Sequence, residues 1–219
     1  YSIGTPYFTQ LAEHAAVGRH DEVRRDLDVS IRTLGIFLVG ALAAVTAAII
    51  PLSRILTDST PHAFSFAWVL GGYLVGLVPL GVLFVIQRTF YAYHDTFRPF
   101  LFTLVQAIIA VVTTLISFTM LPPEFLAAGI AFGQSLGALI QLALAVWLLR
   151  RKLGPLQLRG ATIAIIRFFA AAIPATAAGW GLYLVSGGAN GWMMWDGLDA
   201  ILATMVVGAV ALVVYVAAL

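Results

Sequence analysis

Long apolar runs, separated by short polar segments, dominate the chain. Six stretches contain no Asp, Glu, Lys or Arg: residues 33–53, 59–87, 99–123, 125–149, 168–195 and 200–219. A helix needs about 20 apolar residues to cross the hydrocarbon core of a bilayer, which is about 30 Å thick. The pattern therefore predicts an all-α, polytopic membrane helix bundle. Its six transmembrane helices are expected at about 31–55, 64–87, 99–120, 125–149, 161–186 and 197–219.

Composition excludes a water-soluble domain. Hydrophobic residues make up 61% of the chain and charged residues 10%, whereas soluble domains usually carry about 25% charged residues. The formal net charge of +2 gives no reason to expect a nucleic-acid partner. The chain has no cysteine, and its four histidines are scattered without metal-ligand spacing. We therefore expect no metal and no cofactor.

The positive charges indicate an orientation, because cytoplasmic loops are enriched in Lys and Arg. With the N-terminal segment in the cytoplasm, all 12 basic residues except Arg54 fall in cytoplasmic segments. The outer loops then carry the acids Asp58, Glu124, Asp196 and Asp199. We expect both ends of this piece to face the cytoplasm.

The segment before the first span is amphipathic. Apolar residues recur at helical spacing at Tyr7, Phe8 and Leu11, and Gly18 interrupts the pattern before a charged stretch at 21–28. We interpret this as the tail of an earlier membrane helix, a turn at Gly18 and a short surface helix. The charged stretch is either a solvated face or a docking surface for a cytoplasmic partner.

Catalytic signatures are absent from the sequence. It contains neither a nucleotide-binding P-loop nor a nucleophile elbow, and the spans lack the buried ionisable residues that mark proton pathways. We therefore do not expect an enzyme. A transferase acting on polyprenyl phosphates is the least favoured function.

The most distinctive polar motif is the turn between the second and third spans, residues 87–99. Asp95 and Thr96 suit the capping positions of the following helix. Arg88 and Arg98 could pair with Asp95 or with lipid phosphates. A capped helical hairpin is the simplest interpretation, and contact with lipid headgroups at the cytoplasmic mouth is the functional one.

This turn contains Phe90-Tyr91-Ala92, then Asp95-Thr96 and Pro99. It resembles the FYA-x-x-D-T-x-x-P turn of the MurJ/MviN family, bacterial lipid II flippases of the multidrug/oligosaccharidyl-lipid/polysaccharide exporter superfamily. Residues 4–12 resemble the end of the family's eighth helix, and residues 18–32 resemble the connection that follows it. The resemblance implies the C-terminal half of a longer flippase, helices nine to fourteen.

In that family, two lobes of helices give alternating access to a central cavity. The substrate is an undecaprenyl-diphosphate-linked peptidoglycan precursor, lipid II, which moves from the inner to the outer leaflet of the bacterial plasma membrane. The resemblance divides this chain into residues 1–30 (the end of one helix and a cytoplasmic connection), 31–150 (four helices of the C-terminal lobe) and 151–219 (the last two helices). The alternatives are a polysaccharide-lipid flippase of the same superfamily and a non-transporting scaffold for cytoplasmic envelope-synthesis partners.

Three groups of candidate residues follow. The expected headgroup contacts at the cytoplasmic mouth are Arg88, Asp95 and Arg98. The resemblance implies a groove for the lipid tail along the last two spans, with the candidates Phe168, Phe169, Leu182 and Leu184. Some family members are thought to hold a sodium ion on the helix after the turn, and the polar in-membrane candidates near that place are Gln106, Thr113, Thr114, Gln134 and Ser135. No acid accompanies them, so a sodium site is not expected.

Overall fold

The computed structural model describes residues 13–57, 59–195 and 197–219. Within these ranges, residues 13–16 are helical, and after the turn at Gly18 seven further α-helices follow one another: α1 (His20–Ala47), α2 (Ile49–Ile55), α3 (Thr60–Ala92), α4 (Phe97–Met120), α5 (Pro123–Leu153), α6 (Arg159–Val185) and α7 (Gly197–Ala218). Two short 3-10 helices, Gly188–Asn190 and Trp192–Met194, lie between α6 and α7. All of these seven α-helices except α2 are long and apolar enough to cross a membrane. The predicted all-α membrane bundle is confirmed.

The first helix is longer than the sequence analysis expected. It begins at His20 and continues without a break to Ala47, so the predicted surface helix and the first span form one element. No glycine or proline interrupts residues 20–34, and the helix therefore has no local reason to end there. The turn at Gly18 is confirmed, with a φ of 75°.

Some sequence-based interpretations lie outside the described residues. These are the amphipathic positions Tyr7, Phe8 and Leu11, the resemblance of residues 4–12 to a family helix, and the outer-loop acids Asp58 and Asp196.

Helix α5 lies between α3 and α4 and packs against both through small residues. On one side, Gly72 of α3 approaches Ala131 so closely that an added Cβ would lie 2.8 Å from the Ala131 Cβ. On the other side, a Cβ added to Gly133 would lie 2.6 Å from the Cβ of Thr113 in α4. In lipid, where no hydrophobic force drives helices together, close approach of this kind provides the packing energy.

A second group consists of α1, α6 and α7, and α1 also contacts α3. Its buried core combines small and large side chains, among them Val39, Ala43, Ala175 and Tyr215. The Tyr215 hydroxyl donates a hydrogen bond to the Ile36 carbonyl oxygen, at 3.0 Å, and so fixes α7 against α1. The two helix groups meet mainly where α1 and α2 pack on α3.

The end of the bundle that holds Arg54 is closed by hydrogen bonds to backbone carbonyls. The Arg54 guanidinium donates to the carbonyl oxygens of Thr57 (2.6 Å), Met194 (3.2 Å) and Trp195 (3.0 Å). Met193 and Met194 are buried, whereas Trp195 is 62% exposed. The segment at 192–195 thus combines an exposed Trp195 ring with two buried methionine side chains.

Candidate functional site

An apolar groove of about 840 Å³ opens between α1, α3 and α6. Small residues provide the space, namely Ala43 on α1, Gly71 on α3 and Ala177 on α6. Trp180 lines one end, where its indole Nε1 donates a hydrogen bond to the Thr46 carbonyl oxygen at 3.1 Å. No charged side chain lines the groove among the residues that the structure describes. The groove therefore suits an apolar chain.

The structure places the predicted groove residues in different surroundings. Phe169 lines the groove. Phe168 is half-buried against α1, where its ring lies beside Gly35. Leu182 packs against the buried cluster that contains Met193 and Met194, and Leu184 is exposed.

The walls of this groove are α1, α3 and α6, and α7 does not contribute among the described residues. Of the last two spans, where the resemblance implies a groove for the lipid tail, only α6 lines it. The sequence signal that could have shown this is the set of small residues on all three helices, Ala43, Gly71 and Ala177. Small residues occur throughout the chain, however, so the signal was not specific.

At the opposite end from Arg54, one carboxylate joins two helices. Asp95, in the turn between α3 and α4, accepts a hydrogen bond from Nη1 of Arg98 at 2.7 Å and another from Nζ of Lys152 at 2.7 Å. Its other oxygen accepts from the Arg98 backbone N–H at 3.3 Å, in the first turn of α4. The predicted cap by Asp95 is therefore present, whereas Thr96 makes no side-chain capping bond.

The charge state of Asp95 follows from these contacts. Partial burial acts to raise the pKa of the carboxyl, but the hydrogen bonds from Lys152 and from the Arg98 amide, together with the two positive charges, lower the pKa below its ordinary value. Asp95 is therefore ionised at neutral pH. Lys152 was missed by sequence reasoning, because it lies at the end of α5 and no local pattern links it to the turn.

The remaining predicted headgroup contact, Arg88, lies apart from this ion pair. Its guanidinium carbon is 5.1 Å from the centre of the Phe84 ring, on the exposed surface of α3. The structure thus brings together Asp95 and Arg98 and places Arg88 seven residues before Asp95, in α3, beside an aromatic ring.

The start of α1 holds three other elements together at the same end. Nδ1 of His20 lies 2.8 Å from a tyrosine hydroxyl in the α3–α4 turn. Nε of Arg24 donates to the Leu153 carbonyl oxygen at the end of α5, at 3.0 Å. Asp28 accepts from the Ala161 N–H in the first turn of α6, at 2.7 Å. The turn and the ends of both helices are therefore fixed to α1.

Four of the five polar residues predicted inside the membrane, Gln106, Thr113, Gln134 and Ser135, form hydrogen bonds with each other or with the backbone. Gln106 donates to Gln134 at 3.1 Å, across the contact between α4 and α5. The Thr113 hydroxyl donates to carbonyls of its own helix, and Ser135 donates to a backbone carbonyl of α3. Thr114 is half-buried in α4. Because the four hydrogen-bonded groups are satisfied by contacts within and between helices, their structural role is helix packing.

The described residues contain no group of three or more His, Cys, Asp or Glu side chains that could hold a metal ion. Among the known families, the one described as lipid II flippase MurJ has a model that matches residues 1–198. That match covers most of the 219 residues. No curated protein matches the chain.

Proposed function

The chain belongs to the lipid II flippase MurJ family, and from that premise we propose that it moves lipid II from the inner to the outer leaflet by alternating access. The proposal rests on the apolar groove between α1, α3 and α6, which we assign to the polyprenyl tail. The protein is then a carrier in the bacterial plasma membrane and has no catalytic chemistry of its own.

An apolar groove suits a carrier because it must release what it binds. A polyprenyl tail that leaves the bilayer for the groove exchanges one apolar environment for another, so hydrophobic burial contributes little. Binding then depends on shape and on dispersion contacts with side chains such as Phe169 and Ile173. Weak, shape-dependent holding allows the tail to follow the headgroup across the membrane.

We further propose that the end holding Asp95 and Lys152 faces the cytoplasm. Basic residues are concentrated there, and only Arg54 lies at the other end among the arginines and the lysine of the described helices. The Arg98 guanidinium is partly exposed beside Asp95. Arg88 adds a second exposed positive charge at this end of α3, and a lipid diphosphate would meet both arginines on arrival.

The groove assignment is tested by filling the groove. In the full-length protein, A177W places a large ring in the groove, whereas A107W makes the same change on the exposed surface of α4. Both variants are measured for lipid II flipping in reconstituted vesicles and for growth of a strain depleted of its own flippase. We expect A177W to reduce flipping at least tenfold and A107W to leave it unchanged, at equal amounts of protein in the membrane.

If A177W flips lipid II at the normal rate, the groove does not hold the tail. The same assay, repeated with a polyprenyl-linked polysaccharide precursor, distinguishes a lipid II flippase from a polysaccharide-lipid flippase. Each kind of flippase would transport its own substrate faster. A protein that flips neither lipid, yet recruits envelope-synthesis proteins, would instead be a scaffold.

A further inference from the structure

A second cavity, separate from the groove, lies where α5 is connected to α6. It has a volume of about 910 Å³ and belongs to the basic end of the bundle. Its polar side is lined by Arg150, Arg159 and Thr162, and its apolar side includes Ile163. Residues 154–158 also line it.

The loop that connects α5 to α6 is held in place by its packing and backbone conformation. The cavity is therefore already formed before any ligand binds. Gly154 has a φ of 76°, which favours glycine, and it ends α5 in a sharp turn. Leu156 is only 2% exposed and anchors the loop in the buried core. Gln157 then takes a φ of 48°, and the chain enters α6 at Arg159.

The two arginines of the cavity differ from the neighbouring basic residues. Arg151 stacks on Trp147, with 3.8 Å between its guanidinium carbon and the ring centre, and Lys152 pairs with Asp95. Arg150 and Arg159 are exposed and form no ion pair within the described part of the chain. They therefore have donors available for a ligand.

No negative charge opposes an anion in this cavity. Its lining contains no acidic residue. Asp28, the acid that reaches the start of α6, is occupied by the Ala161 N–H and by an ion pair with Arg32, and it does not line the cavity. Helix α6 also begins here, so the positive end of its dipole adds to the charge of the two arginines.

The apolar side of the cavity indicates what kind of anion it takes. Ile163 and, one turn further along α6, Ile166 are both exposed and lead from the arginines toward the hydrocarbon region. A soluble phosphate would gain nothing from this apolar path. A phosphodiester attached to an acyl chain would contact the guanidinium groups with its phosphate and α6 with its chain.

We propose that this cavity is a binding site for the headgroup of an anionic phospholipid, of the phosphatidylglycerol type. The site is distinct from the groove assigned to lipid II. This inference rests on the proposed function in one respect only: the orientation proposed there makes the cytoplasmic leaflet the source of the lipid.

The test measures lipid binding to the purified full-length protein by native mass spectrometry, with phosphatidylglycerol and phosphatidylcholine added in turn. We expect preferential binding of phosphatidylglycerol. The double variant R150Q/R159Q should weaken it by roughly 25-fold, since each arginine near an anionic lipid contributes about a fivefold change in affinity. R151Q is the matched control, because it removes the adjacent charge but not one that lines the cavity.

A charge-preserving double variant, R150K/R159K, should retain most of the binding and shows that loss in R150Q/R159Q is not a folding defect. Equal binding of both lipids, or unchanged phosphatidylglycerol binding in R150Q/R159Q, would overturn the proposal. If millimolar inorganic phosphate displaced bound phosphatidylglycerol as effectively as added phosphatidylglycerol does, the proposal would also be overturned. The acyl chain would then have no role in binding. None of these outcomes depends on flipping. A177W, which fills the groove, should bind phosphatidylglycerol normally. Failure of the lipid-binding proposal can therefore be distinguished from failure of the proposed function.

Discussion

At the scale of single residues, Asp95 is the charged group whose removal we expect to destabilise the fold most. Its carboxylate, with 15% of the side chain exposed, is shared by Arg98 and Lys152. Exposed ion pairs contribute little because water and salt screen them, whereas a half-buried carboxylate with several donors contributes more. Removing the charge leaves Lys152 without its acid and loosens the start of α4 from the end of α5.

We expect D95N to lower the free energy of unfolding by about 1.5–3 kcal/mol, in line with the value of hydrogen bonds to charged groups. Thermal unfolding of the purified protein in detergent measures the effect. The control is E124Q, which makes the same acid-to-amide change at an exposed residue of α5 and should leave stability nearly unchanged. Equal effects of the two changes would show that the ion pairs at Asp95 do not stabilise the turn.

The contribution of Asp95 should also depend on pH in a defined direction. Because the pKa in the folded protein is lowered from its ordinary value, which is about 3.9 for Asp, the carboxylate stabilises the fold fully above that value. The stabilisation is lost as the pH falls through the folded pKa. The difference between wild type and D95N should therefore be constant from pH 8 to pH 5 and shrink below about pH 4.

At the scale of helices, features that depend on neighbouring residues could be predicted from the sequence. Features that depend on contacts between distant residues could not. The six spans were predictable from apolar length, and the cap at Asp95 from its position before α4, since both depend on neighbouring residues. The partner Lys152 and the groove walls α1 and α3 were not predictable, because they depend on which helices pack side by side. The unbroken α1 was missed because its charged first turns were interpreted as a separate surface helix.

Helix α5 provides the sharpest test of packing. G133A adds a Cβ that would lie 2.6 Å from the Cβ of Thr113, and overpacking of this kind costs about 1–3 kcal/mol. G208A makes the same change in α7, where no atom outside the helix lies within 4 Å. We expect G133A to lower the thermal unfolding temperature in detergent and G208A to change it little. If both variants unfold alike, the contact between α4 and α5 does not depend on glycine.

At the scale of the whole molecule, the bundle has two chemically different ends. One holds the basic residues around Asp95 and Lys152, and the other holds Arg54 inside a set of backbone carbonyls. This difference supports a single orientation in the membrane and places the cavity between α5 and α6 on the side that we assign to the cytoplasm.

The absence of cysteine from this chain makes the orientation directly testable. Y91C and W195C place single thiols at two exposed positions, at opposite ends of the bundle. In intact cells, a membrane-impermeant maleimide should label W195C and should label Y91C only after the membrane is opened. Labelling of Y91C in intact cells would reverse the assignment of the two ends.

The contact between α4 and α5 also limits how the molecule can move. The Gln106–Gln134 hydrogen bond and the fit of Thr113 against Gly133 lie along one seam. A slide of α4 along α5 by one helical turn, about 5.4 Å, would break that hydrogen bond and drive larger side chains into the space left by glycine. The two helices should therefore travel as a single rigid body, together with α3, which packs closely on α5. Any conformational cycle must place its hinges elsewhere, where α1 and α2 pack on α3.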